Sequence, residues 1–295
     1  MKWIYLNKTL TWLLLLVCFA TTGFTQGKPI YLYDGLPKGS EDWKQEEKEM
    51  LYPGTKILLV QNVVKPSLRV FRPEKGKANG TAIVLEPGGG WETIVEGVEG
   101  NPVADSLTAH GITVFMLRYR LLKTIDNFLY TADKKSGLDP ATRLQDYNTK
   151  LRALDLEDIK TAMKYVRAHA AEYGVQPNKV GVMGFSAGGF NVSVLATGYD
   201  AASRPDFVAP IYGAIEDPVV PSDAPPIFLA HASDDKLVPV ERSIHFYQEW
   251  IKAGRHAELH IFGKGGHGFG VSKKGVPVDH WIELFFRWLK SEEMM

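Results

Sequence analysis

Short apolar runs recur along the chain, and most are continuous instead of alternating with polar positions. Continuous runs mark strands covered on both faces, whereas strict alternation marks a half-exposed strand. On this basis residues 81–87 (TAIVLEP), 111–121, 179–185, 207–213, 226–232 and 257–263 are predicted strands. Residues 56–64 and 68–73 are predicted to form an antiparallel pair turning about Pro66. Between these runs the spacing changes to a helical period, predicting helices near 102–110, 156–173, 187–196, 240–253 and 279–290. In the second of these, Leu156, Ile159, Ala162, Met163 and Val166 fall on one face. Alternating strands and helices imply an α/β protein with a mainly parallel, twisted sheet and helices on both faces. Sites in such sheets gather at the carboxyl ends of the strands.

Two stretches break the pattern. Residues 122–150 leave a predicted strand end with little periodicity, and long connections of this kind are commonly functional. They are expected to fold over the site as a lid. The first residues carry Lys2 and Lys8, then an apolar block from Trp12 to Ala20, then small and polar residues. That is the layout of a secretory signal peptide, and the block is short for a membrane span. The expected organisation is a signal peptide over 1–25, cleaved between Thr22 and Gln26, and one domain over 26–295. A secreted or periplasmic chain without stable membrane insertion follows from it.

Composition narrows the function classes. Of 295 residues, 45% are hydrophobic and 23% charged, enough for a sizeable core. Lys plus Arg and Asp plus Glu each total 34, so no net charge favours nucleic acid as a partner. The single cysteine, Cys18, lies inside the leader, and its preceding Val17 does not fit a lipid-attachment site. The mature chain therefore has no disulfide, thiol nucleophile or cysteine metal site.

Candidate chemistry centres on residues 181–190, GVMGFSAGGF. Gly184-Phe185-Ser186-Ala187-Gly188 fits G-x-S-x-G, and it lies between a predicted strand and a predicted helix, the context this motif requires. A serine hydroxyl needs a base, and the base needs an orienting acid, in the chain order Ser, acid, His. Among the histidines, His110 and His169 precede the serine, while His245, His256, His260 and His280 fall in or beside predicted elements. His267 stands apart, in the glycine-rich stretch GKGGHGFG that follows a strand. It is the chosen base. The acid belongs to FLAHASDDKLVP, residues 228–239, where spacing leaves Asp234 and Asp235 both open, with Asp235 favoured. Finally, LEPGGGW (85–91) follows a strand with three glycines whose N–H groups, with that of Ala187, suit an oxyanion. No phosphate-binding fingerprint accompanies these glycines.

From about Tyr31 onward the chain resembles the α/β-hydrolase superfamily, and more narrowly the secreted bacterial carboxylesterases of the acetyl-xylan-esterase type. The resemblance rests on PGGGW, EGNPVADSLTAHGITVFMLRYRL, GVMGFSAGG, SDAPPIFLAHASDD and AELHIFGKGGHGFG. It implies Ser186 as nucleophile, Asp235 as acid, His267 as base, and Gly89, Gly90 and Ala187 at the oxyanion hole. It also implies no cofactor and no metal, with an esterified carbohydrate or small ester as substrate. Pro87 stands where many relatives have His, and Phe190 where His is frequent. The expected activity is hydrolysis of short acyl, chiefly acetyl, esters on plant cell-wall polysaccharide. The alternatives are feruloyl or other carboxylic-ester hydrolysis on glycans, and a non-catalytic binding protein on the same fold.

Overall fold

Strand β5 (Ala82–Glu86) is buried along its whole length and pairs in parallel with β7 (Thr113–Arg118) on one side and β8 (Val180–Phe185) on the other. The computed structural model describes residues 27–123 and 140–295. The predicted leader and most of the predicted lid lie outside them. The sheet continues from β8 through β9 (Val208–Ile211), β10 (Ile227–Ala232) and β11 (Ala257–Phe262), all parallel. Beyond β7 it ends in antiparallel strands β4 (Ser67–Phe71) and β1 (Ile30–Tyr31). The mainly parallel sheet expected from the apolar runs is therefore present.

Side chains alternate across this sheet and build two cores. Val84, Leu117, Val182 and Leu229 face α3 (Arg152–Ala168), α4 (Ala187–Gly198) and α5 (Glu241–Lys252), through residues such as Met163, Val192 and Trp250. Ile83, Leu85, Met183 and Ala230 face α1 (Asn101–Ala109) and α6 (Trp281–Ser291), through Leu107, Phe285 and Trp288. Burial on both sides explains why the strands are apolar throughout. No helix among the described residues is long and apolar enough to cross a membrane.

Two expectations need correction. The segments 56–64 and 68–73 do not pair with each other. Strand β3 (Leu58–Gln61) instead joins β2 (Lys48–Leu51) and β6 (Thr93–Ile94) in a separate three-stranded antiparallel sheet, while β4 enters the main sheet. Two adjacent apolar runs pair locally only if the intervening turn returns the chain, and here β3 pairs with the preceding β2 and with β6, while β4 pairs with β7 and β1. The second correction concerns 122–150. Its latter part is helical, with α2 (Pro140–Asp146) running into a π-helical turn over Tyr147–Leu151 and then α3.

The small sheet positions the site. Strand β6 lies just after the triple glycine, so its pairing with β3 (Val60↔Ile94, Gln61↔Thr93) fixes the far end of that loop. Arg118, at the end of β7, joins the two sheets by ion pairs to Glu96 at 2.7 Å and to Glu47 and Glu49 at 2.6 Å each.

Candidate active site

Ser186 occupies the single residue between β8 and α4, with φ +50° and ψ −117°. This is a strained conformation for a residue with a side chain, and close packing enforces it. A Cβ at Gly184 would fall 2.1 Å from the Gly188 carbonyl oxygen, and one at Gly188 would fall 2.1 Å from that of Glu86. The glycines of the motif therefore allow strand and helix to meet at a tight bend. The Ser186 N–H donates to the Ile211 carbonyl at 3.0 Å, and its carbonyl accepts from Phe190 at 3.0 Å. The side chain is partly exposed, on the carboxyl side of the sheet.

His267 reaches it from the loop after β11. Its Nε2 lies 2.8 Å from Ser186 Oγ, and its Nδ1 lies 2.8 Å from Asp235 Oδ2. A carboxylate accepts only, so Nδ1 carries hydrogen and Nε2 is free to accept the serine proton. Asp235 sits in the turn after β10, where its Oδ1 accepts from the Leu237 N–H at 2.8 Å and the Val238 N–H at 3.0 Å. Its Oδ2 also receives the Nε2–H of His231 at 3.2 Å. Burial alone would push this carboxyl up, but the hydrogen bonds from His231 and His267 outweigh it and hold the group well below the ordinary carboxylate range. The structure thus brings Ser186, His267 and Asp235 into one hydrogen-bonded line. Asp234 is excluded from it, because its Oδ1 accepts from the N–H groups of Gly265 and Gly266 at 3.0 and 2.7 Å.

The triple glycine packs against the bend. A Cβ at Gly88 would lie 2.7 Å from Ser186 Cβ and from the Phe185 carbonyl oxygen. The Gly88 N–H is taken by Glu99 Oε2 at 2.7 Å, whereas those of Gly89, Gly90 and Ala187 meet no acceptor among the described residues. The last three are the donors singled out in the sequence. Trp91 is a core aromatic, stacked on Tyr147 at 4.2 Å and edge-on to Phe190 at 5.5 Å, with its indole N–H donating to Asn191 Oδ1.

A second polar group was not apparent from the sequence. Glu99, fully buried, accepts the Tyr212 hydroxyl at 2.7 Å while also holding Gly88. Tyr212 in turn accepts the Gly270 N–H at 3.3 Å and lies edge-on to the His267 ring at 5.1 Å. Glu99 and Tyr212 thus connect the glycine loop, the end of β9 and the histidine loop. Burial raises the Glu99 carboxyl above its ordinary value, with the Tyr212 hydrogen bond opposing.

Solved structures share this arrangement of strands. The acetyl ester-xyloside bifunctional hydrolase of Caldicellulosiruptor lactoaceticus superimposes with a TM-score of 0.68 at 26% identity, covering 92% of this chain and 98% of that one. A thermophilic esterase of Thermogutta terrifontis, 21% identical, superimposes at 0.60 over 84% of this chain and 93% of its own. The chain has the α/β-hydrolase fold. Residues 147–208 match the BD-FAE family model and residues 210–293 match that of the prolyl oligopeptidase family. The acetylxylan esterase of Xylanibacter ruminicola is 28% identical over 260 residues, which are 77% of this chain and 48% of that protein. The chain therefore spans about half the length of that relative.

Proposed function

We propose that this α/β-hydrolase is a serine carboxylic-ester hydrolase acting on short acyl, chiefly acetyl, esters of plant cell-wall polysaccharide such as xylan. The observation that carries the reading is the hydrogen-bonded line from Ser186 Oγ through His267 to Asp235, set beside the N–H groups of Gly89, Gly90 and Ala187, which meet no acceptor among the described residues. The similarity to an acetylxylan esterase and to an acetyl ester-xyloside hydrolase supports the ester and the glycan.

In the proposed reaction His267 Nε2 takes the Ser186 proton as Oγ attacks the ester carbonyl carbon. Negative charge builds on the carbonyl oxygen, where preorganised N–H donors contribute about 10²–10³-fold each in comparable sites. The imidazolium, held by Asp235, then protonates the departing sugar oxygen. Water, deprotonated by His267, attacks the acyl-serine carbonyl, and the imidazolium returns that proton to Ser186 Oγ as the C–O bond breaks, releasing the carboxylic acid and restoring Ser186. We further propose, from the leader-like pattern of residues 1–25, that the mature chain works outside the cytoplasm.

Product analysis tests the reading. Incubation with acetylated xylan and with feruloylated oligosaccharides is expected to release acetate from the first. Release of ferulate alone reassigns the acyl group, and release of neither acid overturns the proposal.

A further inference from the structure

His231 is the buried neighbour of the acid. It lies in β10 with no solvent exposure, four residues before Asp235. Its Nε2 faces two acceptors, Asp235 Oδ2 at 3.2 Å and the Val238 carbonyl at 3.1 Å. Nε2 therefore carries hydrogen whichever charge the ring bears. Nδ1 lies 2.8 Å from Oγ of the equally buried Ser243, on the first turn of α5. The ring is thus fixed at both nitrogens, and both acceptors of Nε2 belong to the one turn that presents the acid.

We propose that His231 is a positioning residue for the reaction, fixing Asp235 Oδ2 in line with His267 and tempering the negative charge that this oxygen offers to the base. The proposal rests on the serine-hydrolase reading of the site. Oδ2 is the only atom of Asp235 that both imidazoles share, since Oδ1 is occupied by Leu237 and Val238. A hydrogen bond to an anion withdraws charge from it, so each donor on Oδ2 lessens its hold on the His267 imidazolium. The other polar groups around this pair are Asp234 on the same turn, Tyr212 at the end of β9, and Glu99 behind Tyr212. Asp234 is engaged by the Gly265 and Gly266 N–H groups and Glu99 by Tyr212 and Gly88. None of them donates to Oδ2, which leaves His231 as the group whose removal changes the charge there.

The test is the pH profile of kcat/KM for p-nitrophenyl acetate in the wild type and in His231→Phe, His231→Gln and Ser243→Ala. His231→Phe keeps a ring but removes the donor. Its acidic limb is expected to move up by about half to one pH unit, the size of one lost hydrogen bond. His231→Gln retains an N–H that reaches Oδ2 and is expected to lie between the two. Ser243→Ala frees the ring at Nδ1 only, and gives a smaller shift in the same direction if the ring-filling variants fail to fold. A purely structural role lowers the rate without moving the limb. An unmoved or lowered limb in the folded variants overturns the proposal. Absence of hydrolysis by the wild type, or full activity in Ser186→Ala, overturns the reading of the site instead.

Discussion

Asp234 and Asp235 are adjacent in the chain, yet they grip the histidine loop in two different ways. Asp235 holds the imidazole of His267 at 2.8 Å, while Asp234 holds the backbone of Gly265 and Gly266 two and one residues before it. Asp235→Asn places an amide opposite Nδ1 and favours the wrong tautomer, a change worth about 10⁴-fold in kcat in a serine protease. The expected loss here is of that order. Asp234→Asn keeps an oxygen able to accept both N–H groups and is expected to cost less than about tenfold. Steady-state kinetics on p-nitrophenyl acetate separate the two, and a reversed order assigns the acid to Asp234.

Ser186→Ala removes the proposed nucleophile without disturbing the packing of Gly184 and Gly188 around it. Ester hydrolysis should fall nearly to background, with a residual enhancement of up to about 10³–10⁴ over water where the donors still act. The circular dichroism spectrum should be unchanged. Turnover near the wild-type rate in a clean preparation would falsify the assignment.

Acyl length gives an independent check. Each methylene adds about 0.8 kcal/mol of affinity only where apolar surface can bury it. The link from β9 to β10 is rich in proline and acidic residues, with Val219 largely out in solvent, and Trp91 is already packed in the core. kcat/KM is therefore expected to fall from p-nitrophenyl acetate to butyrate and to be very low for octanoate. A rise along that series points to a broad apolar acyl pocket.

Glu86 predicts a pH-dependent stability. Both of its carboxyl oxygens lie buried without a hydrogen-bond partner among the described residues. Burial pushes the group well above its ordinary value, with the Asn191 amide opposing. The folded protein then binds a proton that the unfolded chain has released. Stability is fully present below the ordinary glutamate value and is lost as pH rises toward the folded one, by up to about 1.4 kcal/mol per pH unit. Urea unfolding from about pH 5 to about pH 8 should show this decline, and Glu86→Gln should make it shallower. Asp155, also buried and raised, leaves part of the slope in place. Parallel curves for the two proteins refute the assignment.

The parts of the site legible in the sequence are those carried by local chemistry. The G-x-S-x-G bend, the triple glycine and the glycine-flanked His267 each sit next to a strand whose apolar run is visible by itself. Spacing narrows the acid to two residues and resemblance favours Asp235, the one of the pair that lies against the His267 imidazole. What escaped was long-range. Glu99, Tyr212 and His231 lie inside apolar or helical stretches where one polar residue has no periodic signature, and their partners are distant in the chain or on another element. The pairing of β3 with β6 escaped for the same reason, since the choice depends on which edge the folded sheet leaves available.

The backbone of Ser186 carries one more consequence. Its φ of +50° with ψ of −117° is a conformation that glycine adopts without strain. Ser186→Gly is expected to resist urea at least as well as the wild type, gaining about 1 kcal/mol from relieved strain against the wider freedom of its unfolded chain. Selection for durability alone would thus favour a residue with no side chain at this bend. On the proposed reading, a hydroxymethyl group kept at this strained bend trades robustness for reactivity.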